Sequence, residues 1–114
     1  MLYYEFASQL APQIKEKYRS FNSYKNSFVV NNSILQRFST FLKRKNIKYD
    51  NREFKNDRSY IQQEIKSEIA GQIWEKDSYY RIHLNNDPQF QSSVSAFPLA
   101  ERLVLLSLGE IRQN

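Results

Sequence analysis

Ile61, Ile65, Ile69 and Ile73 recur at four-residue steps behind Phe54, with Lys55, Arg58, Gln62, Gln63, Lys66 and Glu68 between them. A step of four winds slowly round an α-helix and gives it one apolar stripe, so this stretch predicts a long helix that buries the stripe against its neighbours. Its start is marked. Asp50 as N-cap with Glu53 at N3 reads as a capping box in which Asp replaces the usual Ser or Thr, and Tyr49 and Phe54 occupy the flanking staple positions. Gly71 either interrupts the helix or lets another helix come close. The punctuation of the whole chain agrees with a helical fold: 2 Gly and 3 Pro in 114 residues are too few for the turns of a many-stranded barrel or sandwich. The 8 Phe, 8 Tyr and 1 Trp, in turn, argue against a disordered tail. The expected fold is all-α, a compact bundle of about five helices around one long central helix.

Elsewhere the periodicity places further helices. Leu2, Phe6, Leu10, Ile14 and Tyr18 again step by four, predicting a helix over 2–21 that is kinked or restarted near Ala11 by Pro12. Residues 22–27 are polar and read as a connection, and Phe28, Val29 and Val30 as an extended lead-in. Asn31 as N-cap sets Val30 and Leu35 at the staple positions of a strongly amphipathic helix whose core face is Ile34, Leu35, Phe38, Phe41 and Leu42. Beyond Trp74 a shorter helix is expected over 78–84. Asp87-Pro88 and Phe97-Pro98 then mark two restarts, the second opening a helix through Leu99, Leu103 and Leu106.

Charge is unevenly distributed. Residues 15–66 hold 13 Lys/Arg and 5 Asp/Glu, a balance of +8, and the remainder hold 4 and 7, a balance of −3, which together give the net +5. Lys43, Arg44, Lys45 and Lys48, beside Tyr49, are the one cluster that fits phosphate neutralisation with a stacking ring. The same residues also suit the C-terminal end of a helix, where cations complement the dipole. Tyr79 and Arg81 form a second candidate interaction surface, of a composition enriched at protein–protein hot spots. The plainer reading buries Trp74, Tyr80 and Leu84 and leaves Tyr79 and Arg81 exposed. Lys43, Arg44, Lys45, Lys48, Tyr79 and Arg81 are the candidate interaction residues.

No pattern recommends catalysis. Without Cys there is no thiol nucleophile or Cys-ligated metal, and His83 is the single histidine, in no metal-ligand spacing. Glu64 and Glu68 share a helix face, but Lys66 and Arg58 make that face read as a solvated charged surface. No serine sits in a G-x-S-x-G turn and no Gly-rich loop offers a phosphate cradle, so no catalytic residue, metal or cofactor is expected. No apolar run reaches the roughly 18–20 residues of a membrane span, and the first ten residues lack the features of a signal peptide.

The order of motifs is more specific than any one of them. F-V-V-N-N-S-I-L-Q-R-F-S-T-F-L-K-R-K-N-I-K-Y-D is followed by N-D-R-S-Y-I-Q-Q-E-I-K-S-E-I-A, then Y-Y-R-I-H-L-N-N-D-P-Q-F-Q and F-P-L-A-E-R-L. Over residues 1–106 this resembles the helical region that follows the catalytic core in bacterial carboxyl-terminal processing (tail-specific) serine peptidases. Phe38-x-x-Phe41-Leu42, Ile61-x-x-x-Ile65-Lys66-x-Glu68, and Asp87-Pro88-Gln89 with Ala100 and Leu103 carry most of the likeness. The resemblance implies that residues 1–27 are a helix and linker leading out of a protease core, 28–108 an accessory domain and 109–114 a frayed tail. It further implies an extracytoplasmic parent and, as partners, the parent's own protease core and another protein or protomer. The family's serine nucleophile and lysine base lie in the core domain, which nothing here matches, and the neighbours Lys66 and Ser67 point in different directions on a helix. The chain is therefore expected to be a non-catalytic accessory domain. The alternative is a stand-alone module that binds nucleic acid or an anionic surface through the basic cluster.

Overall fold

The structure, a computed structural model, describes residues 2–84, 99, 102 and 103, with the backbone alone at 83 and 84. Those residues form six α-helices and no strand: α1 (Leu2–Lys17), α2 (Phe21–Ser27), α3 (Asn32–Arg44), α4 (Asn51–Asn56), α5 (Arg58–Ile73) and α6 (Lys76–Leu84). The all-α expectation holds. The helix beginning at Asp87 lies outside the described residues; of the helix after Pro98, Leu99, Arg102 and Leu103 are described, all helical, with both leucines buried.

Side chains from every described segment except α4 enter one core, and α4 packs its Phe54 against it. The α5 isoleucines Ile61, Ile65 and Ile69 are fully buried, as the four-residue stripe predicts, while Phe54 and Ile73 pack at the margin. α1 buries Leu2, Tyr3, Phe6, Ala7 and Leu10, all ahead of Pro12, and is a single element that carries the proline within it. Its rings meet α3: Tyr3 stacks on Phe38 at 5.4 Å, and Phe6 lies 5.0 Å from Phe38 and 5.6 Å from Phe41.

Capping chemistry sets the ends as the sequence indicates. Asn31 Oδ1 accepts from Ile34 N at 2.9 Å, with Val30 and Leu35 both buried beside it. Replacing Asn31 with Ala removes this bond and is expected to cost about 1 kcal/mol in urea unfolding. Asp50 Oδ1 accepts from Arg52 N at 2.6 Å and the Tyr49 and Phe54 rings meet at 5.4 Å, so the cap and staple of α4 both form. Glu53 does not complete the box: its carboxylate faces Arg102 at 3.5 Å.

Three expectations are corrected. Residues 22–27 belong to α2, capped by Ser20 Oγ, which accepts from Ser23 N at 3.1 Å. Phe21, Tyr24 and Phe28, at i, i+3 and i+7, turn toward the core, and tertiary bonds hold the segment there. Tyr24 Oη donates to Lys66 O at 2.6 Å, and Lys66 Nζ donates to Lys25 O and Phe28 O at 2.7 and 2.8 Å. Burial beneath α2 lowers the Lys66 pKa. Lys66→Met keeps most of the stem and deletes the donor, and a loss of about 1–2 kcal/mol in urea unfolding is expected, because two carbonyls lose their partner.

The long central helix is likewise two helices. The chain turns at Asp57, whose backbone (φ −95°, ψ 7°) leaves the helical region and whose side chain is fully buried. Asp is a poor helix former, and its carboxylate turns into the protein at this point. This break and α2 bring the described helices to six.

The face of α5 bearing Glu64 and Glu68 is not a solvated one. Glu64 is buried and Glu68 half-buried, since α5 has neighbours on nearly every side. Its polar residues instead bond those neighbours: Gln62 Nε2 donates to Val30 O at 2.7 Å, Gln63 Nε2 to Ile82 O at 3.0 Å and Gln72 Nε2 to Tyr4 O at 2.9 Å. Buried polar groups on a surrounded helix need such partners. At Gly71 a β-carbon would lie 3.2 Å from Tyr79 Cβ, so the glycine lets α6 approach α5. Gly71→Val is expected to destabilise by about 1–3 kcal/mol, since the branched side chain must displace α6.

Candidate functional site

α3 ends in a Schellman motif that exposes the basic cluster. Asn46 takes the left-handed conformation (φ 59°), Asn46 N bonds Lys43 O and Ile47 N bonds Leu42 O, both at 3.0 Å. Asparagine tolerates this conformation better than most residues, and the tight reversal leaves Lys43, Arg44, Lys45 and Lys48 exposed on the last turn and the loop. Within the cluster, two residues have contacts elsewhere in the fold. Lys45 Nζ is paired with Glu5 of α1 at 2.6 Å and lies 5.8 Å from the Phe41 ring centre. The backbone carbonyl of Lys48 accepts from Arg102 Nη2 at 2.8 Å. Tyr49 is occupied: its ring packs on Phe54 and its hydroxyl is bonded to Ser39.

Tyr79 and Arg81 also diverge. Tyr79 is half-buried and donates to Glu64 Oε2 and Oε1 at 3.0 and 3.3 Å, while Arg81 leaves toward α2 and stacks over Phe21 at 4.8 Å. Tyr80, expected inside, is 63% exposed and meets Tyr79 edge-on at 5.2 Å. The register of α6 buries Ser78 and Ile82 and turns the Tyr79 hydroxyl to Glu64, a contact that helical spacing alone does not reveal. Trp74 is half-buried, 5.0 Å from Tyr24 and 5.9 Å from Phe21. The Leu84 and His83 side chains lie outside the described residues.

Between α1, α5 and α6 lies a buried polar cluster that sequence reasoning missed. The Tyr3 hydroxyl is buried with no hydrogen-bond partner among the described residues. Burial raises its pKa well above the ordinary tyrosine value, and Glu64, Tyr60, Tyr79 and Asp57 add to the effect. Tyr79 is raised by its burial, then by the Glu64 charge and its hydrogen bond to that carboxylate. These phenols are held protonated, which makes them hydrogen-bond donors and poor nucleophiles. Lys66 and Ser67 serve different neighbours, Lys66 the carbonyls of Lys25 and Phe28, and the fully buried Ser67 an amide contact from Gln63 at 3.4 Å.

Among the described residues no group of His, Cys, Asp or Glu is placed to hold a metal ion, and no helix is long and apolar enough to cross a membrane. Among the described residues, two open grooves of about 370 and 360 Å³ flank α3. Phe6, Gln9, Arg37 and Arg44 are among the residues lining the first, and Tyr49, Phe54, Lys55 and Arg58 among those lining the second.

No curated protein and no solved structure matches the chain. A family match, by contrast, spans α1 through α5, including the basic end of α3 and both grooves, and stops short of Tyr79 and Arg81. Residues 2–75 match the family of unknown function DUF8443, and the chain belongs to that family.

Proposed function

We propose that the chain is a non-catalytic C-terminal accessory domain of a carboxyl-terminal processing serine peptidase, acting by packing on the protease core, aiding assembly or contacting a partner. The observation that carries this reading is the place of the motif residues in the fold. Phe38, Leu42, Ile61 and Ile65, four residues of the quoted motifs, are all buried in one core, with Phe41 beside them, so the likeness lies in residues that shape the domain. The parent would act outside the cytoplasm, with the serine and lysine of catalysis in a core domain, and this chain would contribute surface and no chemistry.

The purified chain is expected to leave an unstructured peptide intact. Cleavage whose rate followed substitution of a serine or lysine within residues 2–84 would overturn the proposal.

A further inference from the structure

We propose that the groove between α1 and α3 receives an extended acidic peptide segment, held through its carboxylates by Arg37 and Arg44. The Phe6 and Phe41 rings, 5.6 Å apart between centres, fill the space between the two helices and floor an open groove of about 370 Å³. Arg37 and Arg44 line the groove seven residues apart on α3, two helical turns or roughly 10 Å of rise. Both are exposed, and neither makes an ion pair or hydrogen bond among the described residues. Glu5 of the facing helix is already taken by Lys45 at 2.6 Å, so the two guanidinium charges remain for a ligand.

The spacing and the walls select the ligand. A guanidinium offers a planar fork that matches a carboxylate with two parallel hydrogen bonds. In an extended peptide of the polyproline II type, with three residues per turn and a rise of about 3.1 Å, side chains at i and i+3 lie on one face about 9 Å apart, which sets two acidic side chains opposite Arg37 and Arg44. The Gln9 and Gln36 amides on the walls can bond the peptide backbone. Nucleic acid fits less well. Among the described residues the rings at the groove are Phe6 and Phe41, which are 1% and 8% exposed and offer no face on which a base could stack. This inference rests on the groove alone and stands or falls independently of the peptidase reading.

The test is fluorescence anisotropy with the full chain at low salt and a labelled, end-blocked peptide in which two glutamates are separated by two alanines. Saturable binding is expected, absent when both glutamates are replaced by glutamine. Arg37→Gln combined with Arg44→Gln should weaken binding about tenfold. Lys43→Gln combined with Lys48→Gln, which removes the same charge outside the groove, should change it less than about twofold. All four positions are exposed, and unchanged circular dichroism confirms that each variant is folded. No binding, an equal loss in both double variants, or displacement of the peptide by an equally charged oligothymidylate would each overturn the proposal.

Discussion

Raising the pH beyond about 10 is expected to unfold the protein cooperatively, with the midpoint within about two to four units of that value. Tyr3, Tyr24 and Tyr79 all have pKa values raised above the ordinary 10.0, in each case chiefly by burial. Above the unfolded value an unfolded chain releases these protons while the folded chain keeps them. The stabilisation is therefore complete below pH 10 and is lost as pH climbs toward the folded values. Each such group contributes a slope of about 1.4 kcal/mol per pH unit, so three give about 4. Lys66 opposes them: its folded pKa is lowered, so between its folded and unfolded values it makes stability rise with pH, by at most about 1.4 kcal/mol per unit. Against a total stability of roughly 5–15 kcal/mol, about 4 per unit prevails within about two to four units.

Tyrosinate absorbance and far-ultraviolet circular dichroism, recorded together, check this directly. Three of the 8 tyrosines should ionise only as helicity is lost. Tyr3→Phe should lower the slope and move the midpoint upward without loss at neutral pH, since its hydroxyl makes no bond among the described residues that the change removes. All eight tyrosines ionising while helicity persists would contradict the account.

Phe38→Ala is expected to destabilise the protein by about 3–5 kcal/mol, enough to consume much of a marginal stability. Phe38 is fully buried and is the ring on which α1 and α3 meet, with Tyr3 at 5.4 Å, Phe6 at 5.0 Å and Phe41 at 6.1 Å. Truncation leaves three aromatic rings facing a void that a helix pair cannot close without shifting. Urea unfolding followed by circular dichroism gives the number. Phe38→Leu, which refills part of the space, should lose less than half as much. A change below about 1 kcal/mol for Phe38→Ala would mean that this aromatic junction does not hold α1 in the core.

Signals that act within a few residues were legible in the sequence. Asn31 and Asp50 cap their helices, Val30 with Leu35 and Tyr49 with Phe54 take the staple positions, and the isoleucines of α5 face the core. Gly71 marks a close helix approach, one of the two roles its position allowed. What the sequence hid depends on contacts across long stretches of chain. α2 exists because Tyr24 and Lys66, 42 residues apart, clasp each other's segments. Glu64 is inside because Tyr79 meets it from α6. The candidate interaction residues were readable as chemistry, but the contacts that three of them make were not. Lys45 turns to Glu5, Arg81 to Phe21 and Tyr79 to Glu64, each satisfying a local neighbour, while Arg37, absent from the basic run, lines the α1–α3 groove with Arg44.

The central claim, that this helical chain serves a larger peptidase, is tested most directly by the intact mass of the native gene product in the cells that make it. The account predicts a protein several times the 13.7 kDa of this chain, with peptides from a serine–lysine peptidase core mapping upstream of residue 1. A native product of 13.7 kDa beginning at Met1, with no such core encoded ahead of it, would contradict the account.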